Sequence, residues 1–442
     1  MYLLLTNDSP SIDTLSHLPP LPLVIDYSDR TETVAQKDEG HIHLGLQQHH
    51  RVRRIFLQAP SSNLRIWLEP MSKLFPRLED LSLLSTSFEE TNLMLPETLQ
   101  APDLRRLSLH GINLPKRLSL LSSAITLSTL SLTHIGPSFN IPPRHLATQL
   151  QGLHLLEELS ISFVIPIPLP SSDEQLLPVL ISPVRLPALR QLIYRGMDVY
   201  IDNLVALVNA PLLEQLSLIF FFDLTFSLVN LTEFIHRTER FGCLIAQVIF
   251  NKHGASIYCE HPSIAELSLR INCEPLDWKI DSATQVCNAL GKVLSAVEEL
   301  TVDLNEDWMP SDGGNSLDST MWHELLLPFV GVKTLHIGFL LTFELSQALD
   351  SVIGGPVLDP LPELQKLEVR LDIDDAKKVF SAFIETRESE GRPVDLLALP
   401  IPHAELIVPP RYRKQAISLV SIYRTFIQEG KQTFHPHNEL RM

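Results

Sequence analysis

The chain has 442 residues, 45% of them hydrophobic and 20% charged, a balance that marks a folded protein and excludes a disordered one. A formal net charge of -17 at pH 7 argues against general nucleic-acid binding, which needs a basic footprint, and against docking on anionic membranes. The length exceeds one ordinary globular core, unless the chain is an array of units that each pack only on their neighbours.

The N-terminal stretch MYLLLTNDSP has no basic region, and its apolar run is too short for a signal peptide. Residues 1–22 show no clear period and are expected to be an irregular segment. LPLVIDY (Leu21–Tyr27) reads as a strand, and Lys37–His50 as the helix that follows it.

From there the pattern L-x-x-L-x-L recurs, with aliphatic or aromatic residues at the L positions. The copies are Val52/Ile55/Leu57, Leu78/Leu81/Leu83, Leu104/Leu107/Leu109, Leu127/Leu130/Leu132, Leu156/Leu159/Ile161, Leu189/Leu192/Tyr194 and Leu213/Leu216/Leu218. They continue as Ile264/Leu267/Leu269, Val297/Leu300/Val302, Val332/Leu335/Ile337 and Leu364/Leu367/Val369, with a degenerate copy at Ile245/Val248/Phe250. The last two L positions lie two apart and so share one face of a strand. Such a short strand buries its apolar face only when stacked beside its neighbours. Proline stands two residues before the first L at Pro76, Pro102, Pro187, Pro211, Pro262 and Pro362, where it halts the preceding segment and suits a strand entrance.

The intervals between strands hold the return path. Ser61–Phe75 (interrupted by Pro70), Asp202–Ala210, Leu228–Phe241, Asp281–Val297 with Asp281 or Ser282 as N-cap, and Asp374–Gly391 with a C-capping glycine all read as helices. Phe163–Pro178 and the acidic Asn305–Ser319 read as loops. Arg411–Lys431 reads as one more helix. The period is that of leucine-rich repeats, one short strand per unit. The expected fold is α/β: an irregular leucine-rich-repeat solenoid with a curved parallel sheet inside and helices outside. About eleven to twelve repeats would span 23–372, followed by a C-terminal helical cap over 373–432 and a frayed tail over 433–442. The asparagine that ordinarily follows the repeat strand recurs only at Asn272 and Asn305, which predicts uneven repeats.

Little in the chain suggests catalysis. His41, His43, His49 and His50 are close in sequence, but His41 and His43 lie on different faces of a helix, and the four read as solvated surface. Cys243, Cys259, Cys273 and Cys287 lack any C-x-x-C spacing and read as buried free thiols rather than a zinc site with His261. WHELLLP (Trp322–Pro328) opens like a zinc-protease helix but has Leu327 where the second histidine belongs. Asp372, Asp374 and Asp375 read as the charged start of a helix. Arg51–Arg54 and Arg411–Lys414 are short basic runs that read as solvated faces. No catalytic residue, metal ligand or cofactor is expected. Sparse cysteine suits a reducing compartment, so cytoplasm or nucleus is expected, and Asn230-Leu231-Thr232 should be silent as a glycosylation acceptor. The most apolar run, Leu218–Leu231, falls short of the roughly 20 residues a membrane span needs.

The candidate binding residues are those between the strand leucines, on the concave side of the expected sheet. A ladder of small hydroxyls comprises Ser82, Ser108, Ser131, Ser160, Ser217, Ser268 and Thr301. Beside it stand Glu158, Glu266, Glu299, His110, Arg195, Arg270 and Asp303, which would supply selectivity toward a protein partner.

The stretches WLEPMSKLFPRLEDLSLLS, LPETLQAPDLRRLSLHGINLP and LLSSAITLSTLSLTHI resemble the F-box-like leucine-rich-repeat proteins of mushroom-forming (basidiomycete) fungi, and the resemblance covers roughly residues 20–395. It implies a non-enzymatic interaction solenoid, similar to the substrate-recognition part of F-box ubiquitin-ligase receptors, in which an N-terminal F-box docks on the cullin-ligase adaptor and the repeats hold the substrate. This chain departs where the F-box belongs: HLPPLPLVIDY (His17–Tyr27) runs straight into an expected strand. The adaptor is therefore expected as a partner only if an F-box lies upstream. The alternative is a scaffold or regulatory repeat protein with no link to ubiquitin.

Overall fold

A computed structural model describes residues 3–5, 21–28, 36–87, 93–115, 119–136, 141–164, 182–221, 228–238, 240–260, 266–273, 275–304, 319–350 and 359–399. The chain divides into two compact units, one formed by residues 1–221 and 228–240, the other by residues 222–227 and 241–442.

The first unit is built on parallel strands. In chain order its elements are β1 (Leu3–Leu5), β2 (Leu23–Ser28), α1 (Gln36–Gln47), β3 (Val52–Ala59), α2 (Ser61–Leu68), β4 (Asp80–Ser85) and β5 (Arg106–His110). Then follow α3 (Ser119–Ser123), β6 (Thr129–Ile135), α4 (Pro143–Leu150), β7 (Glu158–Phe163), β8 (Val184–Arg185), β9 (Gln191–Gly196), α5 (Asp198–Ala206), β10 (Val208–Asn209), β11 (Gln215–Phe220) and α6 (Val229–Arg237). The strands pair in the order β1-β2-β3-β4-β5-β6-β7-β9-β11, while β8 and β10 form a separate parallel pair. The register makes the repeated pattern physical. Ile55, Leu81, Leu107, Leu130, Leu159, Leu192 and Leu216 stand side by side in one row, and Leu57, Leu83, Leu109, Leu132, Ile161, Tyr194 and Leu218 in the next. Both rows are buried.

Helices cover that leucine face. Trp67 of α2 meets Tyr27 of β2 edge to face at 5.5 Å between ring centroids, and Tyr200 of α5 stacks on Tyr194 of β9. These two helices thus bury aromatic and aliphatic side chains against a sheet face that the strands alone could not cover. Pro70 ends α2 early: the chain continues as a single 3₁₀ turn over Glu69–Ser72 instead of running as a helix to Phe75. Asp202, buried in α5, accepts hydrogen bonds from the Leu231 backbone N–H (2.8 Å) and from Asn230 Nδ2 (2.8 Å), and so caps the start of α6 from the neighbouring helix.

The second unit has a mostly parallel sheet with an antiparallel insertion. Its elements are β12 (Ile245–Asn251), β13 (Gly254–Glu260), β14 (Glu266–Asn272), α7 (Leu276–Ala289), α8 (Gly291–Leu294), β15 (Glu299–Leu304), α9 (Ser319–Leu326) and β16 (Thr334–Ile337). They end with α10 (Thr342–Asp350), β17 (Lys366–Val369), α11 (Ile373–Val379), α12 (Ser381–Ser389) and β18 (Asp395–Ala398). The strand order is β14-β13-β12-β15-β16-β17-β18, with β12–β13 and β13–β14 antiparallel and the other pairs parallel. The chain therefore makes a three-strand meander, then crosses back by α7 to lay β15 beside β12. Buried Lys279 of α7 holds this crossover to the hairpin, donating from Nζ to the carbonyls of Asn251 (2.9 Å) and Lys252 (3.3 Å) in the turn.

The structure departs from the sequence reading at definite places. β1 lies within the segment expected to be irregular, and β18 pairs with β17, so the sheet extends past residue 372 into the span expected to be a helical cap. Strand β13 has no L-x-x-L-x-L copy and was not foreseen. The degenerate copy is out of phase by two: Ala246, not Val248, is in register with Leu300, so Cys243 fills the place of the first leucine. Helix α7 begins after Pro275, and Asp281 and Ser282 lie inside it rather than at its cap, because proline pre-sets the first turn five residues earlier. Asp372 caps α11 by accepting from the Asp374 N–H at 3.0 Å, and Gly391 closes α12 with φ +74°. The Phe163–Pro178 loop beyond Val164, the acidic Asn305–Ser319 loop up to Asp318 and the Arg411–Lys431 helix lie outside the described residues.

Candidate functional site

Strands that bury alternate residues leave the others on the opposite, open face. In the first unit those residues form three rows across the sheet. The middle row is Phe56, Ser82, Ser108, Ser131, Ser160, Ile193 and Ser217, each in register with the next. All are half-buried. Four expected serines, Ser82, Ser108, Ser131 and Ser160, therefore stand on adjacent strands, at the roughly 4.8 Å spacing of a sheet. Their hydroxyls make no hydrogen bond to any described protein group. Ser217 joins the row only beyond Ile193, so the hydroxyl ladder is interrupted there.

Charge flanks the ladder on the strand-entry side. Asp80 lies between Arg54 (3.4 Å) and Arg106 (2.9 Å), and Glu158 faces Thr129 across the β6–β7 pair at 3.5 Å. On the other side stand His110 and Thr133, then Ser162 and Arg195 on β7 and β9. The Arg195 guanidinium lies 5.6 Å from the centre of the Phe221 ring. Ile193, Ile219 and Phe221 thus make an apolar patch around a cation that the sequence reading missed. The signal was available at Ile193, a bulky apolar residue in the row where the neighbouring strands carry serine.

His110 also has a companion that was not foreseen. β6 and β7 shift register between Leu132 and Ile135, and in that bulge His134 adopts φ 58°. Its ring stacks on His110 with centroids 4.8 Å apart. Burial, and then the neighbouring His134, lower the pKa of His110 and favour its neutral form.

In the second unit the open-face middle row reads Ser268, Tyr258, Gln247, Thr301, His336 and Glu368. Ser268 and Thr301 are therefore in one row, but β13 and β12 lie between them. Glu266 and Arg270 accompany Ser268 on β14, and Arg270 reaches Ser256 (3.4 Å) and Tyr258 (3.4 Å) of β13. Glu299 sits beside His336, whose Nε2 is 3.1 Å from it at an angle that makes no hydrogen bond. His336 Nδ1 is 2.8 Å from Glu368. A hydrogen bond from Lys366, helped by His336, holds the Glu368 carboxyl below the usual glutamate range against the opposing effect of burial. Asp303 does not stand out from the face as expected. Its carboxylate lies over Gly338, accepts from the Leu304 N–H at 2.8 Å, and is pushed upward in pKa by burial, against the pull of Arg370.

The remaining candidates carry no evident chemistry. All four cysteines are free and buried. A hydrogen bond with Cys243 and burial raise the Cys259 thiol well above its ordinary pKa, and burial raises Cys287. His41 is buried while His43 is half-exposed, and His49 Nδ1 binds the Leu74 carbonyl at 2.8 Å. Among the described residues no group of three or more His, Cys, Asp or Glu is placed to hold a metal ion. Trp322 and His323 of α9 face the core, Trp322 edge-on to Phe250, so the protease-like run is packing. Arg51 donates to the Leu21 carbonyl at 3.2 Å. Asn230 is occupied by Asp202. Among the described residues no helix is long and apolar enough to cross a membrane. No family model matches the chain, and no curated protein matches it.

Proposed function

We propose that the protein is a non-enzymatic leucine-rich-repeat solenoid whose open sheet face receives a protein partner. The observation that carries this reading is the row Ser82–Ser108–Ser131–Ser160: four in-register hydroxyls with no hydrogen-bond partner among the described residues, between Arg54–Asp80–Arg106 on one side and the His110 and Arg195 groups on the other. Small side chains let another backbone approach the sheet, and unsatisfied hydroxyls would hydrogen-bond it. The flanking charges would select among partners. Four buried free thiols support a reducing compartment, cytoplasm or nucleus.

The resemblance to F-box receptors adds a more specific form of the same reading, in which the partner is a ubiquitin-ligase substrate. The adaptor would then be recruited by a segment other than the described residues.

A photo-crosslinking residue placed at Ser131 tests the general reading, with the same residue at the exposed helix position Gln285 as control. A partner crosslinked from Ser131, absent from Gln285, and lost in Ser108→Arg supports it. Crosslinks of equal yield from both positions reject it. Co-purification of the cullin-ligase adaptor tests the ubiquitin form separately.

A further inference from the structure

Resting on the open-face reading above, we propose that Arg195 anchors the partner, and that the segment received there is an extended peptide with an acidic side chain, Asp or Glu, within two positions of an apolar one. The open face of the first unit carries Arg54, Arg106 and Arg195. Arg54 and Arg106 share the Asp80 carboxylate. Arg195 has no carboxylate and no hydrogen-bond acceptor among the described residues, and its guanidinium meets the Phe221 ring instead. Glu158 on the neighbouring strand is in register with Gln191, four residues before Arg195, and so stands roughly 13 Å away at about 3.3 Å per strand residue. A ring contact does not replace the acceptors that five N–H donors require, and that planar fork matches a carboxylate in two-point fashion. In a chain of net charge -17 such an unpaired cation draws the opposite charge of a partner.

The surroundings of Arg195 say what carries that charge. It is in register with Ile219 on one side and with Ser162 on the other, and Ile193 precedes it by two residues on the same face. Ile193, Ile219 and Phe221 are half-buried. A free anion gains nothing from these apolar groups, whereas an apolar side chain next to a carboxylate does. Adjacent strands lie about 4.8 Å apart and same-face residues of one strand about 6.6 Å apart, distances that one or two residues of an extended peptide span. Ser162, and Ser160 and Ser217 in register with Ile193, make no hydrogen bond to any described protein group and suit the backbone of such a peptide. The face continues on both sides of Arg195, which fits a chain that passes over it rather than one that ends there. The end of β9 is fixed, because buried Tyr194 donates from its hydroxyl to the Met197 carbonyl at 2.7 Å.

The test uses the full chain as bait for a displayed library of random heptapeptides, with Arg195→Glu as a parallel bait, and reads the affinity of selected peptides by fluorescence anisotropy. The wild type should select Asp or Glu within two positions of an aliphatic or aromatic residue. Changing that acid to its amide, or Arg195 to Gln in the protein, should each weaken binding by about tenfold or more, and the two changes together should cost little more than one. Arg195→Glu should select Lys or Arg in the same place. Arg195→Gln should melt close to the wild type, since it breaks no ion pair among the described residues. Peptides lost in Ser131→Leu, which adds bulk without charge two strands away, yet indifferent to Arg195→Gln would overturn the anchor and leave the open-face reading standing. Peptides indifferent to both substitutions would overturn both. A library that yields no binder dependent on Arg195 would overturn the anchor.

Discussion

Asp303 lies across Gly338: a methyl group on that glycine would stand 1.7 Å from Asp303 Oδ1. The two occupy equivalent places on adjacent strands, where a side chain on β16 would ordinarily fill the space. Gly338→Ala should therefore destabilise the second unit by about 1–3 kcal/mol, the usual cost of overpacking. Asp303→Gly should recover most of that loss in the double variant. Denaturant unfolding of the four-member cycle reads the coupling, and additive effects would show that the carboxylate does not fill the notch.

The same carboxylate gives the second unit an unusual pH response. Burial raises the pKa of Asp303, Glu344 and Asp350. A group with a raised folded pKa contributes its full stability below the unfolded value and loses it as pH rises through the folded value. The melting temperature should rise as pH falls from 7 toward the ordinary carboxylate range. Glu368, with a lowered pKa, opposes this only below its unfolded value of 4.5. Glu344→Gln should raise the melting temperature at pH 7 and leave it nearly unchanged at pH 4. Thermal melts across this range check both statements.

Asp202 links two helices, and its loss has a separate signature. Asp202→Ala removes the acceptor for the Leu231 N–H and frees Asn230. The expected cost is about 1–2 kcal/mol, that of a lost N-cap. Hydrogen exchange should speed up at the start of α6 before it does in β9 or β11.

The thiols should be silent in the native protein. Cys243 and Cys259 fill leucine places in the second sheet, and Cys287 of α7 is likewise buried. A thiol reagent should label none of the four rapidly in native buffer and all four in denaturant. A rapidly labelled native cysteine would contradict that packing.

The strands were legible because the spacing of leucines two apart is a direct consequence of one buried face, and each unit repeats the same demand. Ser82, Ser108, Ser131 and Ser160 could be placed in one row for the same reason. The hairpin partner β13 was not legible. Its residues GASIYCE pair antiparallel and carry no leading leucine, and its buried places are taken by Ile257 and Cys259. Its turn signal, Asn251 to Gly254, was present in the sequence, and Asn251 Oδ1 accepts from the His253 N–H there. The phase of β12 was misread because Ala246 fills the leucine place while the bulkier Val248 and Phe250 follow it. The His110–His134 pair escaped notice because it depends on a bulge, and no pattern of side-chain types announces where a register will slip.

The most direct test of the open face as a partner surface is the affinity of a captured partner for three forms of the chain. These are the wild type, Ser108→Arg with Ser131→Arg on the open face, and Gln285→Arg on the outer face of α7. Loss of binding by tenfold or more in the serine variant alone, at unchanged melting temperature, is the predicted result. Equal affinity for all three forms would contradict the account.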